Sequence, residues 1–509
     1  MSNLLFDALF RAGAREALAI EAHERRFSYG DLRSETARIA RTLADLGVAP
    51  GGRVLVQIEK SAAGLLLYLA CVRAGAVIVP LNPAYTLAEL AYFIADAEPA
   101  LIVCDPARQD GVAAIAGAAT IETLDRTGEG SLIERVRTAT AEFQTVGRGA
   151  ADLAAICYTS GTTGRSKGAM LSHRALTSNA ETLTALWRFT ANDRLIHALP
   201  IYHVHGLFVA VNIALMAGAA MIFQPRFDAD AVIDAMPRAT ALMGVPTFYT
   251  RLLASPRLTR DCAQSMRVFI SGSAALLAST HVQWAQRTGQ AILERYGMTE
   301  TGMNTSNPYD GPRVAGAVGQ PLPGVDLRIA PEIDGETGEA VSAGQIGVVE
   351  VRGPNLFSGY WRAPDKTAQA FTADGWFKTG DLGYFDEDGY LRLVGRGADL
   401  IITGGLNVYP AEVEDAIDAV AGVVESAVIG LPHADFGEAV TALVVAGTPG
   451  ATEQAIRSAL ETRLAGFKRP RAILFVPELP RNAMGKVVKA ALRRAHAKLY
   501  AETAADEPA

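Results

Sequence analysis

The sequence predicts an α/β protein, and two observations support this prediction. From Phe27 onward, segments with apolar residues at helical spacing alternate with short runs rich in β-branched residues. Because such runs are almost continuously apolar, they are typical of parallel strands that helices cover on both faces. The chain has 509 residues, which is too long for one hydrophobic core, so two or more domains are expected.

The alternation can be followed element by element. The segment YGDLRSETARIARTLADLGV predicts a helix, with Asp31 as its N-cap and Gly47 as its stop signal. Strands RVLVQI, AVIVPL and ALIVC then alternate with helices SAAGLLLYLACVRAG and TLAELAYFIADAEP. The stretch LFVAVNIALMAGAAMIF is nearly long enough to span a bilayer. Asn212 and Gly218 interrupt it, which favours a buried helix followed by a buried strand.

The pattern changes after about Gly319. Short alternating strands with frequent turn residues predict a smaller β-rich subdomain there. After GRGADLIITGG, helices and strands resume in a compact α+β unit. We therefore expect a large N-terminal domain of layered α/β subdomains (1–396) and a small, mobile C-terminal domain (397–509), with the boundary near Arg396–Asp399.

Composition and charge exclude several classes of protein. The formal net charge is −7 and no basic stripe is present, which argues against a nucleic-acid partner. The N-terminus lacks the basic start and apolar core of a secretory signal, so we expect a cytoplasmic protein with no membrane partner. The four cysteines are far apart and form no CxxC motif, which predicts buried thiols in a reducing compartment.

One polar segment, YTSGTTGRSKG (158–168), directly follows an apolar strand. Glycines let backbone amides approach an anion, hydroxyl groups add donors, and a lysine adds charge, so the segment can bind phosphate. It is not a Walker loop, because Lys167 comes three residues after Gly164 and is followed by glycine. Taken alone, the segment fits a phosphate loop of another kind and a flexible surface loop about equally well. We expect a strand before it and a helix after it.

Four further motifs follow in order: ERYGMTE (294–300), TGDLG (379–383), GRGADLIITGGLNVYPAEVE (395–414) and PRNAMGK (480–486). Together with the glycine-rich loop they resemble the adenylate-forming superfamily of acyl-CoA synthetases, luciferases and peptide-synthetase adenylation domains. The resemblance covers nearly the whole chain. It implies that a carboxylate attacks the α-phosphate of ATP, and that a thiol then displaces AMP from the acyl-adenylate. ATP, Mg²⁺ and coenzyme A are the implied cofactor and co-substrates.

The resemblance also implies a nucleotide site. Tyr296 would face adenine, Asp381 would accept from the ribose hydroxyls, Thr299 would donate to the α-phosphate and Glu300 would hold magnesium. Arg396 would be a second ribose or phosphate contact. The other implied nucleotide contacts are Thr159, Ser160, Gly161, Thr162, Thr163, Gly164, Lys167, Ser273, Glu294, Arg295, Gly297, Met298 and Lys486.

The resemblance makes Lys486 the catalytic lysine, which would bridge the attacking carboxylate and the α-phosphate. Acetylation would remove its charge, so a lysine acetyltransferase and a deacetylase are candidate partners. Because the thiol needs access after adenylation, the family rotates its C-terminal domain about a hinge, which Asp399 matches. Gly404 and Gly405 would then flank the pantetheine arm of coenzyme A.

The acyl pocket is expected among LPIYHVHGL, MGVPTFYTRLL, FISGSAAL and YGMTETGMNTSNP. Arg251 is the informative residue, because a buried guanidinium needs an anionic partner and a second substrate carboxylate would supply one. The other candidate substrate contacts are His203, His205, Ser271, Ser273 and Met303, with His203 also placing the reacting carboxylate. The pattern resembles superfamily members that act on malonate, with methylmalonate as a second candidate substrate.

Several alternatives remain open from the sequence. A short-chain, medium-chain or aryl monocarboxylic acid:CoA ligase is the main one, and it follows if Arg251 points outward. A peptide-synthetase module would need an acidic residue where this chain has IYHVHGL. An inactive nucleotide sensor or scaffold would have no need of Lys167, Glu300, Asp381 and Lys486. No His/Cys cluster has the spacing of a zinc site.

Overall fold

The computed structural model describes residues 2–23, 25–159, 166–331, 340–404, 406–433, 435–482 and 485–500. Within these residues the chain forms four β-sheets with helices packed against them, which confirms the predicted α/β class. The strands are β1 (Leu18–Glu21), β2 (Arg26–Ser28), β3 (Arg53–Gln57), β4 (Val77–Pro80), β5 (Leu101–Cys104), β6 (Thr120–Thr123), β7 (Leu153–Thr159), β8 (Lys167–Ser172), β9 (Arg194–His197), β10 (Ala220–Phe223), β11 (Ala241–Gly244), β12 (Val268–Ser271), β13 (Leu293–Met298), β14 (Gly302–Ser306), β15 (Gln320–Pro321), β16 (Asp326–Ala330), β17 (Gly347–Arg352), β18 (Phe377–Phe385), β19 (Leu391–Arg396), β20 (Ile401–Thr403), β21 (Leu406–Val408), β22 (Val423–His433), β23 (Gly437–Ala446) and β24 (Ala472–Phe475).

The helices begin where the sequence supplies capping side chains. Ser61 and Ser172 each accept a hydrogen bond from a backbone N–H of the helix that follows. The helices are α1 (Leu4–Leu9), α2 (Tyr29–Asp45), α3 (Ala62–Ala74), α4 (Leu87–Ala97), α5 (Gln109–Ala113), α6 (Ser131–Thr138), α7 (His173–Leu186), α8 (Val211–Met216), α9 (Ala229–Ala235), α10 (Pro246–Ala254), α11 (Ala278–Thr288), α12 (Pro364–Ala370), α13 (Pro410–Asp418), α14 (Glu453–Arg463) and α15 (Lys489–His496).

Two large sheets form the first part of the chain. In the described residues, one has six strands in the order β6-β5-β3-β4-β7-β8, and the other has nine in the order β15-β14-β13-β12-β11-β9-β10-β1-β2. Strands β10, β9, β11, β12 and β13 are parallel. Their carboxyl ends therefore meet at one edge of the nine-stranded sheet, the position where open α/β sheets bind ligands.

Two smaller sheets follow. Strands β16 to β19 form an antiparallel sheet, which is the β-rich subdomain that the sequence predicts. Strands β20 to β24 form the last described sheet, and its long pair β22–β23 packs against α13 and α15. This sheet has its own buried core, which includes Ile401, Val428, Val440 and Leu460.

Two local expectations are wrong. Ser28, not Asp31, is the N-cap of α2, and Asp31 lies at the third helical position, where it completes a capping box with Ser28. After the glycine-rich loop comes strand β8, antiparallel to β7, before α7 begins at His173. The pairing with β7 outweighs the helical tendency of the short segment KGAMLS.

The long apolar stretch folds as expected, into buried turns of helix followed by the buried strand β10. None of the helices in the described ranges combines the length and the apolar character needed to cross a bilayer.

Candidate active site

Three predicted segments meet at the carboxyl edge of the nine-stranded sheet. Strand β9 leads into the segment that carries His203 and His205, β12 ends at Ser271, and β13 contains residues 294–298. The turn after β12 places Ser273 in a left-handed conformation with φ of 73°, which is unusual for a residue other than glycine. The strand order therefore brings together side chains that lie up to about a hundred residues apart.

Asp381 joins the β-rich sheet to this edge. It is buried, and its Oδ2 accepts a hydrogen bond of 2.5 Å from the Tyr296 hydroxyl. On the neighbouring strand, Arg396 pairs with Asp381, with 2.9 Å between Nε and Oδ1. The carboxylate raises the pKa of Arg396 and keeps it charged. The structure thus unites three of the residues that the resemblance gives to the nucleotide.

Glu300 is the second buried carboxylate of the site. Its Oε1 accepts from Thr159 Oγ1 at 3.2 Å and from the Tyr360 hydroxyl at 3.1 Å. Burial is the main cause that raises its pKa. Lys167 Nζ lies 4.9 Å from the centroid of the Tyr360 ring. The end of β7, the start of β8 and Glu300 therefore form one cluster, although Ser160, Gly161, Thr162, Thr163 and Gly164 lie outside the described residues.

Tyr360 was missed by sequence reasoning. It follows Gly359 in the segment SGYW, and an isolated bridge pairs it with Ala169 of β8. A hydroxylated aromatic residue beside a glycine after strand β17 was the only available signal. That signal is too common to select the residue without the fold.

The expectation for Arg251 is wrong. Its side chain is exposed in the last turn of α10, so it is not the buried guanidinium that the sequence predicts. The buried guanidinium belongs to Arg295, which is 3 % exposed. Burial lowers the pKa of Arg295 to about 9. Helical periodicity explains the difference, because α10 turns Phe248, Tyr249 and Leu252 inward and Arg251 outward.

Arg295 lies flat against the backbone after β12. A Cβ atom on Gly272 would come within 2.5 Å of Arg295 Cζ, so a larger residue there would displace the guanidinium. No hydrogen-bond partner for Arg295 Nε or Nη2 exists among the described residues, and the same holds for the buried Ser271 Oγ and His205 Nε2. Native proteins leave few buried polar groups unpaired, so a cluster of four requires an explanation.

The two histidines adjoin Arg295. Ser273 Oγ lies 3.3 Å from His205 Nδ1, and the His205 backbone N–H donates to His203 Nδ1 at 3.3 Å. Burial and the charge of Arg295 lower the pKa of His203 to about 4, and the same two causes lower the pKa of His205 well below its usual value. Both rings are therefore neutral near pH 7.

The other predicted site residues have varied surroundings. Glu294 is buried, and its Oε1 lies 3.0 Å from Nδ1 of His281, so this carboxylate is engaged within the fold. Thr299 is half-buried beside Glu300. Met303 is buried on β14, where its backbone exchanges hydrogen bonds with the Asn179 side chain. Gly297 and Met298 are the last two residues of β13.

Lys486 reaches the Asp381–Arg396 pair from the far end of the sequence. Its side chain is exposed, yet surrounding protein atoms and then the charge of Arg396 lower its pKa, as expected in a cleft open on one side. The loop that carries it is anchored by a 3.0 Å hydrogen bond from the Lys486 backbone N–H to Asn482 Oδ1. The preceding Gly485 packs against Thr247 of α10.

Asp399 and Gly404 lie farther along the chain. Asp399 Oδ1 is 2.8 Å from Arg493 Nη2 of α15. Gly404 has φ of 58° and donates its N–H to the carbonyl of Phe436 at 2.8 Å. It is exposed, between the equally exposed Ile402 and Leu406. Gly405 lies outside the described residues.

Two family models match this chain. The AMP-binding enzyme model matches residues 8–361, and the AMP-binding enzyme C-terminal domain model matches residues 412–486. The chain therefore belongs to the AMP-binding enzyme family, which the sequence motifs predict. The class of protein is thus that of the AMP-binding enzymes. The buried carboxylates of Asp381 and Glu300 and the lysine at the cleft, Lys486, agree with this class.

Several individual proteins are similar to this chain over nearly its whole length. The malonate–CoA ligase of Arabidopsis thaliana is 34 % identical over 97 % of this chain and 90 % of its own length. The indoleacetate–CoA ligase of Aromatoleum aromaticum is 36 % identical over 94 % of both. The crystal structure of ATP-bound MatB from Rhodopseudomonas palustris is 57 % identical, covers 98 % of this chain and 100 % of its own, and has a TM-score of 0.96, whereas the apo form scores 0.85.

Proposed function

We propose that this chain is an ATP-dependent malonate:CoA ligase that forms malonyl-CoA, AMP and pyrophosphate through a malonyl-adenylate. One observation supports malonate as the acid: the buried Arg295 guanidinium, with two nitrogen atoms unpaired in the described structure. The distal carboxylate of a short diacid would accept from these nitrogens. Ser271 Oγ and His205 Nε2 would gain a partner from the same group.

A monocarboxylic acid fits this pocket less well. A buried charge without a partner is strongly unfavourable, and an alkyl or aryl group would leave Arg295 in that state. A site built around polar groups rejects analogues that lack the matching group far better than an apolar pocket rejects one methylene. The Arabidopsis relative that is named a malonate–CoA ligase supports the same choice.

The proposed ATP-binding part of the site consists of the clusters around Asp381 and Glu300. Asp381 would accept from the ribose hydroxyls, beside Tyr296 and Arg396. Lys167, Thr159 and the loop between them would bind the β- and γ-phosphates. An oxygen of the malonate carboxylate would attack the α-phosphorus as the bond to pyrophosphate breaks, with Thr299 and Lys486 offsetting the negative charge that develops.

Glu300 fits a magnesium ion. Its buried carboxylate accepts from the hydroxyl groups of Thr159 and Tyr360 and from its own backbone N–H, and the charge of Arg396 acts on it from farther away. Within the described residues it forms no salt bridge, so a cation would complement it. Magnesium prefers oxygen ligands and is commonly held by one carboxylate together with substrate phosphates. Bound there, the ion would neutralise charge on the triphosphate. The described residues contain no cluster of three or more potential metal-binding side chains.

Thiol transfer requires a second arrangement of the chain. We assign residues 1–396 to the domain that binds the substrates and 397–509 to a mobile domain that carries Lys486, with Asp399 at the hinge. After adenylation the mobile domain would rotate, Gly404 and Gly405 would flank the pantetheine arm, and the thiol would attack the acyl carbon as AMP leaves. The exposed hairpin β20–β21 agrees with a surface that is used only in that second step.

Three further points belong to this proposal. Methylmalonate is a second candidate substrate, because it presents the same two carboxylates. Acetylation of Lys486 would remove its charge and stop adenylation.

The cysteines in the described part of the chain are all free thiols, and three of them are buried. This agrees with a location in a reducing cytoplasm.

An ATP–pyrophosphate exchange screen over malonate, methylmalonate, succinate, acetate, butyrate and octanoate tests the function. We expect malonate to give the highest kcat/KM. Equal exchange with butyrate would favour the alternative of a monocarboxylic acid ligase. Absence of exchange with every acid, from folded protein, would favour a scaffold or sensor.

A further inference from the structure

Lys60 is buried with an unusual set of neighbours. It follows strand β3 and is 7 % exposed. Its Nζ lies 2.8 Å from the carbonyl oxygen of His197, 2.9 Å from His197 Nδ1 and 4.3 Å from the centroid of the Phe223 ring. Among the described residues no carboxylate pairs with it. Since a buried amino group is unfavourable unless acceptors surround it, these contacts must be important to this part of the fold.

The contact with Gly206 fixes the tautomer of His197. The carbonyl oxygen of Gly206, 2.9 Å from His197 Nε2, can only accept, so Nε2 carries the single proton of the neutral ring and donates it. His197 Nδ1 therefore accepts from Lys60 Nζ, whose pKa burial lowers well below the usual lysine value. Burial, with Lys60 nearby, lowers the pKa of His197 and keeps the ring neutral.

Gly206 lies at the start of the π-helical segment His205–Ala210, directly after His205. Its backbone packs so closely against the Pro200 carbonyl that a Cβ atom would overlap that oxygen. The carbonyl that His197 holds is therefore part of a turn with little freedom. The chain of contacts Lys60–His197–Gly206 ends next to a ring that adjoins Arg295.

We propose that Lys60 and His197 are positioning residues for the acyl pocket. By holding the Gly206 carbonyl, they orient His205 so that its ring faces the distal carboxylate of the substrate beside Arg295. The identity of that substrate rests on the proposed function, whereas the contacts do not. Within the described structure, neither residue bonds a residue of the nucleotide site, so their effect should fall on acid binding.

Three variants and one control test this proposal by steady-state kinetics. Lys60→Met keeps volume but removes the donor, and His197→Phe keeps the ring but removes both nitrogens. Each should raise the KM for the acid about tenfold and leave the KM for ATP within about twofold, the loss expected for one or two buried hydrogen bonds. His197→Gln can still donate to Gly206 and should restore most of the acid affinity. Lys366→Met, at an exposed lysine, is the control.

The acid in these assays is whichever one the native protein prefers. If that acid is not malonate, the proposed function fails, while the split between the two KM values still judges the positioning role. An equal rise in both KM values overturns it, as does an unchanged acid KM in folded Lys60→Met protein.

Nitrogen-15 NMR of the native protein supplies a test that needs no variant to fold. The His197 ring should show the neutral form with its proton on Nε2 throughout pH 6 to 8, roughly the range in which an unperturbed histidine titrates. A cationic ring, or a proton on Nδ1, would overturn the assignment.

Discussion

Arg295 shows at the scale of one residue how the fold creates a binding preference. Strand β13 holds the side chain under the turn after β12, where Gly272 leaves room for the guanidinium plane. Desolvation lowers its pKa, so the site is destabilised while no anion is present. Under the proposed function, an acid with a second carboxylate would relieve this penalty and a monoacid would not. The selectivity would then come from the unpaired nitrogens of Arg295 as much as from the other contacts of the pocket.

Replacing this arginine should remove that preference. We expect Arg295→Leu to lower kcat/KM for malonate at least about 100-fold, because losing one partner of a buried ion pair costs about 3–5 kcal/mol. Arg251→Leu, at the exposed arginine, is the matched control and should stay within about threefold. Pyrophosphate exchange measures both. A larger loss in the Arg251 variant would reverse the assignment of the two arginines.

Lys486 should set the alkaline limit of adenylation. Its pKa lies below the ordinary lysine value of about 10.4, because its surroundings remove water and Arg396 lies nearby. A lowered pKa means that the ammonium loses its proton at a lower pH than a free lysine does. Adenylation should therefore decline as pH rises through that lowered value.

The two half-reactions separate this effect from general loss of activity. Transfer from supplied malonyl-adenylate should not show the same decline in a stopped-flow pH series. Lys486→Ala should abolish adenylation but retain transfer. Full adenylation by that variant would exclude a catalytic role for the lysine.

The loop before Lys486 shows how two elements must fit for catalysis. Gly485 has φ of 75°, and a Cβ atom there would lie 2.8 Å from Thr247 Oγ1 at the start of α10. A left-handed backbone is unfavourable for other residues by about 1–2 kcal/mol, and the contact adds to that penalty. Glycine therefore permits the loop to approach α10 and bring Lys486 to the cleft.

We expect Gly485→Ala to slow adenylation about tenfold or more and to affect transfer less, because transfer uses a different arrangement. Adding Thr247→Ala should recover part of the rate, since it removes the contact but not the backbone strain. Gly466→Ala is the control, because that glycine has open space around it and no positive φ. Single-turnover assays of each half-reaction provide the measurement, and equal losses in both would contradict this account.

The elements were predictable to the extent that local chemistry determines them. Periodicity located α2 and the parallel strands, but it missed the strand β8, because KGAMLS forms a strand only by pairing with β7. Capping chemistry identified Asp31 correctly as part of the start of α2, yet Ser28 is the cap. A capping box involves both residues, and the sequence does not show which of them comes first in the helix.

At the scale of the whole molecule, the ordered motifs predicted which segments meet, but not which face each segment presents. Arg251 follows strand β11 and Arg295 lies on strand β13, and both strands belong to the same parallel part of the sheet, so proximity alone could not separate the two arginines. The two arginines differ in burial. Arg251 is exposed because of the rotation of α10, and Arg295 is buried where Gly272 leaves room for its guanidinium. The role of Tyr360 could not be predicted from the sequence either, because its hydrogen-bond partner Glu300 is 60 residues away in the chain.

If Lys486 is the catalytic lysine, the arrangement of the two proposed domains is the one that adenylation requires. Lys486 lies near Asp381 and Arg396, and the chain superimposes better on ATP-bound than on apo MatB. Asp399 pairs with Arg493 in this arrangement. If Asp399 is the hinge, its backbone must change φ and ψ when the C-terminal part rotates toward thiol transfer.

Fixing that backbone should block the second step selectively. Proline holds φ near −65°, which is compatible with the short 3₁₀ turn Gly397–Asp399, so Asp399→Pro should keep most of the adenylation rate. Transfer to coenzyme A should fall at least about tenfold, since a rotated hinge would cost more than the roughly 1.4 kcal/mol that tenfold represents.

Asp399→Ala is the matched control, because it also removes the ion pair with Arg493 but leaves φ free. Rapid-quench measurement of malonyl-adenylate and malonyl-CoA follows each step separately. If the alanine and proline variants lost transfer equally, the ion pair and not the hinge would explain the defect, and equal loss of both steps would place the hinge elsewhere.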